Sequence, residues 1–129
     1  MDIFKTLLVE DNASFRESIK DFIQAEFPSI DIEEALDVDD AMKKADVFLP
    51  NLIFMDIKLP SGNGLALTQK IKKNHPETNI IILTSYDFLE YRLAAAQYGA
   101  NHFLSKASVT REEIIVLVKS FLEKGMPNP

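Results

Sequence analysis

LIFMDIKLPSGNG, residues 52–64, sets four consecutive apolar residues before an aspartate at position 56 and then a cluster of turn formers. An unbroken apolar run of this length, closed by Pro60, Ser61, Gly62, Asn63 and Gly64, reads as a strand covered on both faces that ends in a loop. TLLV (6–9) and IIIL (80–83) have the same character, whereas IDIEEA (30–35) alternates and NHFL (101–104) is short and mixed. The first, third and fourth of these five strands therefore belong in the middle of a sheet, and the second and fifth at its edges.

Amphipathic stretches separate the strands. Ser14 to Phe27 places Phe15, Ile19, Phe22 and Ile23 at helical spacing, and Thr110 to Lys124 does so with Ile114, Leu117, Val118, Phe121 and Leu122. Ser14 with Glu17, and Thr110 with Glu113, have capping-box spacing at the two starts. Helices are also expected near Val38–Phe48, Leu65–Asn74 and Phe88–Tyr98. Five β/α units with right-handed crossovers give an α/β, doubly wound parallel sheet. The order 2-1-3-4-5, already known for flavodoxin-like sheets, places the apolar strands centrally and helices on both faces.

With 129 residues, 47% of them hydrophobic, the chain has the size of one domain, expected over residues 1–124 with 125–129 as a tail or linker start. It has no cysteine, which excludes disulfides and thiolate metal sites. A net charge of −6 with both signs interleaved argues against a nucleic-acid surface. No apolar run approaches the roughly 20 residues of a membrane helix, and charges interrupt the N-terminal MDIFKTLLVED, so a soluble, cytoplasmic protein is expected.

In a sheet of that order the crevice opens at the carboxyl ends of the first and third strands. Glu10 and Asp11 end the first strand, Asp56 the third, Thr84 and Ser85 the fourth, and Lys106 follows the fifth. Taken singly, each is an ordinary turn, cap or surface residue; their convergence on one edge is what points to a site. Carboxylates about 4 Å apart repel by about 4 kcal/mol per pair at an effective dielectric of roughly 20, so three of them call for a cation. Hard oxygen donors suit Mg²⁺, with Mn²⁺ as a substitute, and Lys106 can neutralise Asp56 or a phosphate carried on it.

LLVED (7–11), LIFMDIKLPSGNG (52–64), ILTSYD (82–87) and GANHFLSKAS (99–108) together resemble the response regulator receiver family, over essentially the whole chain. The resemblance implies that Asp56 accepts a phosphoryl group from a sensor histidine kinase or phosphotransfer protein. It also implies that Asp11, Asp56 and the Lys58 backbone carbonyl bind Mg²⁺, with Glu10 acting mainly through water. Thr84 and Lys106 would hold phosphate oxygens, and Phe103 stands at the aromatic switch position, where a tyrosine is usual. Lys58 and Tyr86 would flank the path of the water that hydrolyses the phosphate. The surface of the fourth helix, fifth strand and fifth helix would meet an output domain or a second copy. The Lys106–Ala107 ending is closer to receivers that precede a helix-turn-helix, which implies a transcriptional output.

Three other readings compete. A dehalogenase-type aspartyl-phosphate phosphatase would need D-x-D-x-T where residues 10–14 read EDNAS, and a flavin module would need a hydroxyl- and glycine-rich phosphate loop where two acids stand. A receiver used unphosphorylated as a protein-binding module is the third, against which the complete acidic set argues. The chain is thus expected to be a signalling switch that assists its own phosphorylation and dephosphorylation, without being an enzyme in the usual sense. His75 and His102 fall on different units and are expected at the surface or an edge.

Overall fold

Apolar runs build the sheet in the expected arrangement. The structure, a computed structural model, describes residues 3–124. Its elements are β1 (Lys5–Val9), α1 (Ala13–Glu26), β2 (Asp31–Ala35), α2 (Val38–Val47), β3 (Leu52–Met55), β4 (Lys58–Leu59), β5 (Gly62–Asn63), α3 (Gly64–Asn74), β6 (Asn79–Thr84), α4 (Leu89–Gln97), β7 (His102–Ser105) and α5 (Arg111–Lys124). The main sheet is parallel in the order β2-β1-β3-β6-β7; since β4 and β5 pair only with each other, this is the expected order 2-1-3-4-5. The tail at 125–129 lies outside the described residues.

Burial follows strand composition. Leu7, Leu52, Ile53, Met55 and Ile80 to Ile82 are fully enclosed, while β2 and β7 at the edges are only partly covered. One apolar layer joins the sheet to Ala41, Ala45, Leu67, Ile71 and Ala95 of α2, α3 and α4, and the other joins it to Ile19, Ile23, Ile114, Val118 and Phe121 of α1 and α5. Helices thus cover both faces, as near-continuous apolar strands require. Among the described residues no helix is long and apolar enough to cross a membrane.

Local starts differ from the expectation in two places. The cap of α1 is Asn12, whose side chain accepts from the Phe15 N–H at 3.0 Å, so Ser14 lies inside the helix and the Ser14–Glu17 box does not form. Asn12 takes the position because its own N–H is already drawn to Glu10 Oε2 at 3.0 Å. At α5 the Thr110 Oγ1 does accept from the Glu113 N–H at 3.2 Å. The turn formers read from sequence at residues 60–64 belong in part to a hairpin, β4–β5, over residues 58–63, with Ser61 in the left-handed region at φ 67.

Candidate functional site

Ladder hydrogen bonds running one residue past the strands fix the crevice residues. Glu10 N–H donates to Ala35 O at 3.1 Å, Asp56 N–H to Val9 O at 3.1 Å, and Lys106 N–H to Thr84 O at 2.9 Å. Strand pairing thereby delivers Glu10, Asp56, Thr84 and Lys106 to one edge of the sheet.

Their side chains meet there. Carboxylate oxygens of Glu10, Asp11 and Asp56 lie within 4.8 Å of one another; Glu10 and Asp56 are buried and Asp11 is exposed. The Lys106 ammonium is 2.5 Å from Glu10 Oε1 and 3.1 Å from Asp56 Oδ2. Asp56 Oδ1 accepts from the Ile57 N–H at 2.7 Å. Burial works against the charged form of Lys106, but its bonds to Glu10 and Asp56 outweigh burial and hold its pKa above the ordinary lysine value. Burial raises the pKa of Glu10; Lys106 and the Asn12 N–H offset part of the rise and the charge of Asp56 adds to it. Two buried carboxylates thus share a single ammonium.

That deficit of positive charge is the test of whether a divalent cation fits. Three carboxylates against one ammonium, all hard oxygen donors at an open edge, match Mg²⁺. Asp11→Ala is therefore expected to weaken Mg²⁺ binding about tenfold or more. Its melting temperature should stay near that of the parent, because Asp11 is exposed and outside the core. Calorimetric titration of this tryptophan-free chain measures the affinity; an unchanged value would remove Asp11 from the metal shell.

The other expected residues gather around this cluster. Thr84 is fully buried, and its hydroxyl accepts from the Tyr86 N–H at 3.2 Å. The Lys58 ammonium stands over the Tyr86 ring, 5.3 Å from the centroid, linking the β4–β5 hairpin to the loop after β6. Phe103 is partly buried against the α3–α4 layer. The Arg92 guanidinium lies 4.7 Å over its ring and is held by Asp87 at 2.5 and 3.0 Å, a contact that needs no tyrosine hydroxyl. Phe88 and Leu89 are exposed at the start of α4, joined by Leu93, while Tyr91 packs into the core. His75 pairs with Asp46 at 2.8 Å, and His102 is exposed on the edge strand, its ring edge-on to Phe121.

Sequence reading passed over three residues here. Arg16 donates to the Glu10 carbonyl at 2.9 Å and to Glu34 Oε1 at 2.9 Å, pinning the end of β1. Phe15, counted only as part of the apolar stripe, lies with its ring centroid 4.5 Å from the Lys106 ammonium. Gly64, counted only as a turn residue, is buried with its α-carbon against the main chain of Asp56. Only Arg16 could have been suspected beforehand, as a basic residue within two turns of the acidic pair.

Comparison with known proteins agrees with this geometry. Residues 6–119 match the family model of the response regulator receiver domain. The chain is 32% identical over 130 residues to the transcriptional regulatory protein HptR of Staphylococcus aureus, covering 98% of this chain and 51% of that protein. It is 34% identical over 110 residues to a protein-glutamate methylesterase/protein-glutamine glutaminase of Geobacillus kaustophilus, covering 84% and 31%. The chain thus spans about half, or less, of the curated relatives it matches. A CheY-like receiver domain from Methanospirillum hungatei superposes with a TM-score of 0.87 at 27% identity over 95% of this chain and 96% of that one. The receiver domain of NtrX from Brucella abortus does so with a TM-score of 0.82 at 28% identity over 93% and 99%.

Proposed function

The chain belongs to the response regulator receiver family of two-component signalling, and from that premise we propose that it is a switch thrown by phosphorylation of Asp56. The observation that carries the reading is a buried carboxylate, Asp56, held between Lys106 and two further acids at the switch point of the sheet. One Asp56 oxygen attacks the phosphorus of a phosphohistidine or small acyl phosphate; the new O–P bond forms as the donor's P–N or P–O bond breaks. The leaving group departs with the bonding pair, the histidine nitrogen taking up a proton and the acyl oxygen leaving as a carboxylate. Mg²⁺ on Glu10, Asp11 and Asp56, with the Lys58 carbonyl, would neutralise charge on the transferring group.

Positioning is the chain's own contribution. The Ile57 N–H fixes one Asp56 oxygen, and Lys106 can exchange a carboxylate for a phosphate oxygen without leaving the site. The new phosphate offers the Thr84 O–H an acceptor, and because Thr84 Oγ1 also accepts from the Tyr86 N–H, its movement draws the loop after β6 inward. That movement reaches Phe103 and the exposed Leu89 and Leu93 of α4, the surface proposed to meet an output domain or a second copy. HptR is a transcriptional regulator and the Geobacillus relative a methylesterase, so matching receivers serve different outputs. The resemblance of residues 99–108 favours transcription for this chain, with a histidine kinase or phosphotransfer protein as donor in the cytoplasm.

Incubation with Mg²⁺ and acetyl phosphate should add one phosphoryl group by intact mass, acid-stable and base-labile as an acyl phosphate is; no addition would overturn the reading. Loss of the group should be slow, since neither Lys58 nor Tyr86 offers a carboxylate or amide to orient a water, and their stacked pair is proposed to stand beside the water's approach. Tyr86→Ala removes both the ring and the resting place of Lys58. It is expected to speed phosphate release from the labelled chain in excess Mg²⁺ by several-fold to about tenfold, or about 1.4 kcal/mol in barrier. An equal or slower rate would reject the shielding role.

A further inference from the structure

We infer that Phe15 is a positioning residue for Lys106, its ring holding the lysine ammonium in the acidic cleft. The inference rests on the reading of Asp56 as phosphoacceptor, and it assigns to the first turn of α1 a part in the chemistry.

A lysine ammonium on a four-carbon stem has three donors and much rotational freedom. Here the ammonium is 2.5 Å from Glu10 Oε1 and 3.1 Å from Asp56 Oδ2, and the Phe15 ring centroid stands 4.5 Å away. The Lys106 side chain is only 14% exposed. Phe15 lines the same small cavity as Glu10, Asp56 and Leu83 and packs into the α1–α5 layer, which fixes the ring. The negative face of an aromatic ring attracts a cation most strongly when water is excluded.

The ring differs in kind from the other two partners. To follow a phosphoryl group onto Asp56, the ammonium must trade a carboxylate contact for a phosphate oxygen. The ring claims no specific donor and need not be released, so the ammonium can turn against it. Without the ring, the ammonium loses this neighbour, and the lysine can swing out of line with the reacting atoms. The helix cap serves the same end: the Asn12 N–H that fixes Glu10 Oε2 lies three residues before Phe15, and Asn12 Oδ1 accepts from the Phe15 N–H.

The test compares Phe15→Leu, which keeps apolar bulk, with Phe15→Tyr, which keeps the ring. In metal-free chain, the Lys106 side-chain methylene NMR signals should carry a ring-current shift that is lost in Phe15→Leu and kept in Phe15→Tyr. Initial phosphorylation by acetyl phosphate and Mg²⁺ should fall about threefold to tenfold in Phe15→Leu and return to within about twofold of the parent in Phe15→Tyr. Unmoved Lys106 signals, or an undiminished rate in Phe15→Leu, would overturn the inference, as would a rate that falls equally in both variants. Labelling that persists in Asp56→Asn would instead sink the phosphoacceptor reading, and the metal-free spectra would still decide the contact.

Discussion

Replacing Asp56 by Asn is expected to leave a folded chain that takes up no phosphoryl group. The amide cannot form the acyl phosphate, and no neighbour replaces it: Glu10 Oε2 is tied to the Asn12 N–H and Oε1 to Lys106, while Asp11 is exposed. The Asn side-chain oxygen can still accept from the Ile57 N–H as Asp56 Oδ1 does at 2.7 Å. One negative charge leaves a cluster that has an excess of them, so the melting temperature should move by only a few degrees. Intact mass after incubation with Mg²⁺ and acetyl phosphate reads the labelling, and thermal unfolding reads the fold. A labelled mutant would place the acceptor elsewhere.

The second large effect is expected from a residue without a side chain. A Cβ on Gly64 would stand 1.8 Å from the Asp56 carbonyl oxygen and 2.8 Å from its carbon, both main-chain atoms that no rotamer change can move. Gly64→Ala must therefore push the start of α3 away from the Asp56–Ile57 peptide and strain the Gly64 N–H to Ile57 O bond, now 2.7 Å. Overpacking against backbone should cost about 3 kcal/mol, lowering the melting temperature by roughly 10 °C. A displacement of order 1 Å at Asp56 should cut the phosphorylation rate by about a hundredfold.

Gly62→Ala is the control. The nearest atoms to its Cβ would all belong to the Val38 side chain, Cγ2 at 2.8 Å, and that side chain can turn aside. A loss of about 1 kcal/mol or less is expected there. If Gly64→Ala unfolds and phosphorylates as the parent does, the close approach of α3 to the site is wrong.

The contrast between these two glycines marks where sequence reading stops. Both stand in the same turn cluster and both read as loop punctuation, yet one touches a movable side chain and the other the backbone of the reactive residue. Lys106 shows the same limit: its place after the fifth strand pointed to Asp56, but its shorter contact is with Glu10. Phe15 satisfied the helical stripe so well that nothing in its spacing marked it as a neighbour of Lys106. Ser14 and Glu17 met the spacing rule for a cap, and Asn12 displaced them because the acidic loop before the helix had already fixed its main chain.

By itself the sequence determined the sheet order, the covering of both faces and the identity of the acids at the strand ends. Those depend on which residues are apolar and how often they recur, properties that each segment carries wherever it lies. Tertiary structure alone decided the contact of Lys106 with Glu10, the stacking of Lys58 on Tyr86, Arg92 on Phe103 and Lys106 on Phe15, and the intolerance of Gly64 to any side chain. Each of these is a contact of a few ångströms between different elements of the fold, and its strength depends on distance and exclusion of water, neither of which a pattern of residue types contains.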